Sequence, residues 1–248
     1  MQPVRIIGSY LSPYVRKVLV CLELKSLPYR IDPIVPFYGN EEFSRLSPLR
    51  RVPVLIDDRV TLCDSTVICE YLEERYPQPA LYPATPEQRA QARWLEEFAD
   101  TRMGEVFIWR LFNEVVIKPN VWGKETDQEV LRKTLEEDAP SVLDYLETRL
   151  PGDGWLFGSI CVADIAIASF FRNAAFANYR VDAARWPGSA AFVARTLGHP
   201  AFVRLRPFED LLCRTRIGRA REALREAGAP ISDQSLALDT PRAGMLSR

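Results

Sequence analysis

The pattern of apolar and polar positions changes character about a third of the way along the chain. Residues 4–8 (VRIIG) form a brief apolar run of the kind a short buried strand needs. After a Ser-Pro-Tyr turn, Val15, Val18, Leu19 and Leu22 recur at helical spacing, so the strand leads into a helix. Tyr29 to Ile34 reads as a second strand. Residues 40–47 read as a short helix ending near Pro48, because the residue before a proline is pushed out of helical geometry. Two further strands, VPVLID (52–57) and VTLC (60–63), are separated by Asp58-Arg59, which suits a tight hairpin. Thr66 to Tyr76 follows as a helix with Val67, Ile68, Tyr71 and Leu72 on its buried face. The order βαβ-α-ββα predicts an α/β domain of mixed sheet direction over residues 1–77.

Beyond that point the strand signal fades. Prolines 77, 79, 83 and 86 break any regular element, so residues 78–86 are expected to be a linker. Leu95, Phe98, Ala99 and Val106 then mark one helix, and Leu131, Leu135, Val142, Leu146 and Leu150 another. Ile165 to Phe171 carries no charge and reads as a central, buried helix. Residues 87–227 are therefore expected to form an all-α domain. Residues 228–248, rich in Ser, Pro and Gly with weak periodicity, are expected to be a mobile or surface-draped tail.

Composition narrows the function classes. With 32 Lys plus Arg against 33 Asp plus Glu, the net charge of -1 offers no global field for nucleic acid or an acidic surface. No apolar run approaches the roughly 18 to 20 residues of a bilayer span, and the start has no signal-peptide pattern, so a cytoplasmic protein without membrane attachment is expected. The five cysteines, Cys21, Cys63, Cys69, Cys161 and Cys213, form no CxxC pair and their odd number argues against a disulfide framework. A single histidine, His199, removes most of the material for a metal site or a Ser-His-Asp triad, so no metal is expected.

Chemistry concentrates in the first strand-turn-helix. Ser12-Pro13-Tyr14-Val15 stands where glutaredoxin-like proteins carry C-P-Y-C, with both cysteines replaced. Downstream, SPLRRVPVLIDDRVTLCDSTVICEYLEERYP resembles N-P-x-x-K-V-P-x-L followed by E-S-x-x-I-x-x-Y-L. The run GSICVADIAIASF resembles G-x-x-[ST]-x-A-D-I, a capping box in which Asp164 folds back on the amide of residue 161 and Cys161 replaces the usual hydroxyl. Together these motifs make the chain, from about Val4 to Phe208, similar to the cytosolic glutathione S-transferases, and its S-P-Y turn resembles that of their serine-type plant and bacterial members.

The resemblance implies a thioredoxin-like N-terminal domain followed by an all-α domain, a homodimer, and glutathione as co-substrate. It also implies roles for particular residues. Ser12 would hydrogen-bond the glutathione thiolate from the positive end of a helix dipole. The Val52-Pro53 bond would be cis, leaving the Val52 backbone to pair with the cysteinyl part of the tripeptide. Asp64 and Ser65 would hold the γ-glutamyl head group, and Arg51, with Arg50 as substitute, the glycyl carboxylate. Read without the family, Ser12 is a helix cap, as is Asp64-Ser65, and Ser9 and Tyr10 are neighbouring hydroxyls. A small apolar electrophile is expected where two domains meet, with Tyr10, Leu11, Tyr14, Tyr38, Met103, Phe107 and Trp109 as candidate walls.

The leading expectation is a transferase that activates glutathione for attack on a hydrophobic electrophile. A glutathione-dependent disulfide oxidoreductase and a non-catalytic scaffold of the same fold are the alternatives.

Overall fold

The computed structural model describes residues 3–242. Four strands, β1 (Val4–Ile7), β2 (Tyr29–Asp32), β3 (Val54–Ile56) and β4 (Thr61–Cys63), form one sheet in the order β2-β1-β3-β4. The β1 and β2 strands are parallel, whereas β1 with β3 and β3 with β4 are antiparallel. Three helices accompany them: α1 (Pro13–Leu24), α2 (Glu41–Leu46) and α3 (Ser65–Arg75). This is the mixed sheet the residue pattern predicts and the thioredoxin-like arrangement the resemblance implies, with β2 ending earlier and β3 starting later than the apolar runs do.

Helices α1 and α3 meet through a ladder that periodicity alone does not reveal. Lys17 Nζ donates to Thr66 Oγ1 at 3.1 Å, Cys21 Sγ lies 3.6 Å from Cys69 Sγ, and Lys25 Nζ pairs with Glu73 at 3.1 Å. Successive rungs are four residues apart on α1 and three or four on α3, which places them along one facing stripe of each helix. Lys17 and Lys25 are buried, each with a partner, as a buried ammonium requires. The face of α3 that packs is accordingly Ser65, Ile68, Cys69 and Leu72, and Val67, expected inside, is exposed.

By packing, the chain divides into two units, Ala80–Phe202 and the remainder. The second unit is helical: α4 (Pro86–Phe98) runs on as a π-helix (Ala99–Trp122), then α5 (Gln128–Lys133), a π-helical stretch (Thr134–Asp138), α6 (Ala139–Glu147), α7 (Val162–Phe176) and α8 (Pro187–Leu197). The α7 helix is buried along nearly its whole length, as its uncharged sequence predicts. Leu135, expected on a buried face, is exposed instead. The π stretch changes the winding there and turns Thr134 and Asp138 inward.

One expectation about the C-terminal third needs correction. The short α9 (Pro200–Val203) is followed by α10 (Arg206–Arg214) and α11 (Ile217–Glu226), which belong by packing with the thioredoxin-like unit rather than with the helical one. The reason is a buried ion pair, Arg16 Nε to Glu209 Oε1 at 2.5 Å, together with ring contact between Tyr10 and Phe208. The tail takes the surface-draped one of its two expected forms. Residues 229–242 run along β2 and the loop after it, with Ile231 bridged to Ile31 and Ala237 to Gly39. Residues 243–248 of the expected tail lie outside the described residues. Among the described residues, no helix is long and apolar enough to cross a membrane.

Candidate functional site

Sheet register brings the scattered motifs to one edge. Ile7 lies opposite Val54, and Val54 opposite Cys63, so these three residues form the last rung across β1, β3 and β4. Because β3 runs against both neighbours, the chain leaving β1 (Gly8 to Ser12), the chain entering β3 (Val52-Pro53) and the chain leaving β4 (Asp64-Ser65) all emerge beyond that rung. Gly8 lets them approach closely. Its φ is +148°, and a Cβ there would lie 2.5 Å from Val15 Cγ2 and 3.1 Å from Val52 Cβ, so a side chain is excluded by both backbone and space.

Ser12 is the N-cap of α1, in extended conformation ahead of Pro13. Its Oγ accepts from the Val15 amide at 3.4 Å, a long contact for a cap. The residue is half-buried, and its hydroxyl proton has no acceptor among the described residues. A hydroxyl so placed can donate to an anion while the α1 N-terminus adds its partial positive charge. Ser9, the neighbouring hydroxyl, is buried and accepts from the Leu11 amide at 3.2 Å.

The Val52-Pro53 peptide is cis. Among the described residues the Val52 amide and carbonyl make no hydrogen bond, since β3 pairing starts only at Val54. That leaves one donor and one acceptor side by side, as an added extended peptide requires. Just before it, the two arginines differ. Arg50 adopts φ +50° and turns back on its own loop, donating through Nη2 to Gly39 O at 2.8 Å and Pro36 O at 3.2 Å, with its guanidinium 5.6 Å from the Phe43 ring centre. Arg51 is exposed with no side-chain partner among the described residues. Arg50 is thus committed to structure, and the reading of it as a substitute for Arg51 falls away.

Asp64 caps α3, its Oδ1 accepting from the Thr66 amide at 2.9 Å and the Val67 amide at 3.3 Å. It holds φ +77° with ψ 130°, outside the left-handed helical well and sparsely populated for any non-glycine residue. Ser65, at the first position of α3, has neither its amide nor its hydroxyl bonded among the described residues. The edge therefore presents a hydroxyl, two unpaired backbone amides, one carbonyl, a free carboxylate oxygen and an exposed guanidinium.

The cysteines do not supply a nucleophile here. Cys63, next to Asp64, donates to Leu46 O at 2.9 Å, and burial pushes its thiol up. Burial, reinforced by the Asp164 carboxylate, likewise keeps Cys161 protonated. Its role is structural: Asp164 accepts from the Cys161 amide at 2.9 Å and the Leu156 amide at 3.1 Å to start α7. Among the described residues no group of His, Cys, Asp or Glu could hold a metal ion.

The expected wall residues separate by exposure. Tyr10, Met103 and Phe107 are core side chains with at most 1% exposure. Tyr10 packs on Phe208, and burial with the adjacent Tyr29 phenol drives its hydroxyl far above the ordinary range. Phe107 packs on Phe171 and Tyr179. These three present no open face to a ligand in this structure, because an aromatic or thioether stripe at helical spacing packs first against its own unit. Leu11, Tyr14 and Tyr38 are half-buried and Trp109 is exposed.

Known proteins resemble the chain in sequence and in fold. A family model described as "Glutathione S-transferase, N-terminal domain" matches residues 6–80. The chain is 31% identical to glutathione S-transferase U8 of Arabidopsis thaliana over 173 residues, covering 68% of this chain and 70% of that protein. It is 30% identical to maleylacetoacetate isomerase of Rattus norvegicus over 176 residues, 69% of this chain and 77% of the other. A crystal structure of a glutathione S-transferase from Rhodospirillum rubrum superposes with a TM-score of 0.74 at 29% identity, covering 82% of this chain and 91% of that one.

Proposed function

The chain belongs to the glutathione S-transferase family, and from that premise we propose that it binds glutathione at this sheet edge and activates its thiol through Ser12. The observation that carries the proposal is the half-buried Ser12 hydroxyl, weakly held at the start of α1 and free to donate, beside the unpaired Val52 backbone.

In this reading the cysteinyl residue pairs antiparallel with the Val52 amide and carbonyl, which brings its sulfur toward the α1 N-terminus. Ser65 donates to the γ-glutamyl carboxylate, the second Asp64 oxygen faces the ammonium, and Arg51 meets the glycyl carboxylate. A free thiol, with pKa near ~8.5, is largely protonated at neutral pH, and each unit of lowering takes about 1.4 kcal/mol of preference for the thiolate. The Ser12 hydroxyl and the α1 amides supply that preference by hydrogen bonding and dipole, with no covalent bond to the protein. The thiolate then attacks an apolar electrophile, forming the C–S bond as the leaving group departs. A cytoplasmic homodimer, with no metal and no nucleic acid or membrane partner, is the setting that accompanies this reading.

Similarity to the isomerase favours a second use of the same thiolate. It adds to an alkene carbon conjugated with a carbonyl, the resulting single bond rotates, and the thiolate is expelled unchanged. Both reactions need the same activated sulfur, so Ser12 tests them together.

Replacing Ser12 by Ala is expected to lower kcat for an aryl-halide acceptor by about a hundredfold, the lower end of the range for removal of one donor to a developing anion. The glutathione Kd should change by less than about threefold, since Ser12 touches only one atom of the ligand. The pH midpoint of kcat should move up, toward that of the free thiol. An unchanged rate and midpoint would remove Ser12 from the chemistry. Wild-type protein that takes up no glutathione at millimolar concentration in a calorimeter would favour a scaffold instead.

A further inference from the structure

The described part of the C-terminal tail makes more directed contacts than its composition predicts, and they converge on the segment that carries Arg51 and Val52. Two backbone bonds bracket Ile31: its amide donates to Pro230 O at 2.8 Å and its carbonyl accepts from the Ser232 amide at 2.9 Å. The tail thus closes the outer edge of β2, an edge that would otherwise stand open. Asp32, fully buried, then acts as a latch. Its Oδ2 accepts from the Leu236 amide at 2.7 Å, and its Oδ1 from Ser235 Oγ and Arg221 Nη1, both at 2.8 Å. Further on, the Asn40 amide donates to Leu236 O at 2.9 Å, the Leu238 amide to Tyr38 O at 2.6 Å and the Arg242 amide to Phe37 O at 2.8 Å.

Leu236 completes the connection. It is buried in one apolar cluster with Ile7, Ile34, Phe43 and Val54, against which Val52 also packs. The loop it covers is also held by Arg50, whose guanidinium donates to Pro36 O and Gly39 O. Tail, loop and Arg50 therefore form a continuous chain of contacts ending one residue before Arg51. The strap itself, residues 229–242, lies outside residues 6–80, which the family model matches.

We infer that residues 229–242 are an intramolecular β-strap that positions the 33–53 segment, and through it the ligand-binding turn, with Asp32 and Leu236 as the positioning residues. The inference rests on the proposed glutathione reading for its effect on binding, but its effect on the segment does not depend on any ligand. If releasing the strap reduces the binding-competent population of the turn to about a tenth, apparent affinity falls about tenfold while chemistry on the bound complex is unchanged.

The test uses the full-length chain with Leu236→Asp, and Leu238→Pro as a second variant. The proline removes the amide that donates to Tyr38 without emptying the apolar cluster, so it serves if Leu236→Asp does not fold. Amide hydrogen exchange without ligand should quicken at least tenfold over residues 35–53 in either variant, and stay unchanged in α6 and α7. Glutathione Kd by calorimetry should rise about tenfold, with kcat at saturating glutathione within about twofold, the reverse of the split expected for Ser12→Ala. Leu146→Ala, a truncation in the core of α6, controls for general destabilisation and should leave residues 35–53 unaffected. Faster exchange at residues 230–240 with unchanged exchange at 35–53 would overturn the strap. Failure of the wild-type chain to bind glutathione would instead overturn the proposed function, leaving the exchange result to judge the strap alone.

Discussion

Two helix starts in this molecule use similar residues to opposite ends. At α7, Cys161 and Asp164 form a buried cap in which the carboxylate serves two amides and both side chains are shut away from water. At α1, Ser12 makes one long bond, remains half-buried and keeps its hydroxyl proton unused. A cap whose polar groups satisfy one another contributes to folding and has nothing left for a ligand. A loosely satisfied one forgoes some of that stability and retains a directed donor. Function in this fold is to be looked for where hydrogen-bonding capacity is left over, as at Ser12, Val52 and Ser65.

The largest test of this contrast is Asp164→Ala. It leaves two amides at the start of a buried helix without acceptors, which should cost about 3 kcal/mol or more in urea unfolding. Turnover per folded molecule should stay near wild type. Ser12→Ala should do the reverse and cost less than about 1 kcal/mol, as for a poorly made cap. A stability loss at Ser12 rivalling that at Asp164 would dissolve the distinction.

Acid dependence sharpens it further. Burial raises the Asp164 carboxyl above its ordinary value of 3.8, although the amides it accepts from oppose the rise. The folded chain therefore holds that proton more tightly than the unfolded one, so the site favours folding at low pH and loses this advantage as pH climbs through the raised value. Relative to Asp164→Asn, wild-type stability should decline with rising pH from about 4 upward and then level off. Asp57 has the opposite sign. Burial would raise it, but the Tyr71 hydroxyl, the Arg59 and Val60 amides and Arg75 hold it below 3.8, and its contribution disappears as pH falls through that lowered value.

The smallest expected effects separate the two adjacent arginines. Arg50→Ala removes the bonds to the 36–39 loop and should lower stability by about 1 kcal/mol. Arg51→Ala should leave the unfolding midpoint where it is and weaken glutathione binding several-fold, as loss of one exposed charged contact would. Calorimetry and urea titration of the pair read both quantities, and equal behaviour of the two variants would show that the loop does not distinguish them.

Much of this was legible in the residues because it is local. A cap, a Val-Pro turn or an uncharged helix is set by neighbours within a few positions, so Ser12, Val52-Pro53, Asp64-Ser65 and the burial of α7 could be read directly. The succession of strands and helices along the first 77 residues followed from the same local patterns. Other features were decided only where distant surfaces meet. Periodicity placed Val67 and Leu135 inside, but the stripe actually used on α3 is fixed by the lysine ladder from α1, and the winding at residues 134–138 turns other side chains inward. Composition left residues 228–248 either mobile or draped on the surface, and Asp32, some two hundred positions away in sequence, decides between the two by holding the described part in place. The amino-acid sequence by itself determined which groups could cap, turn and donate. Tertiary structure decided which of them were consumed by packing and which were left for a ligand, because a hydrogen bond or a buried face is a property of two surfaces and each local sequence specifies only one.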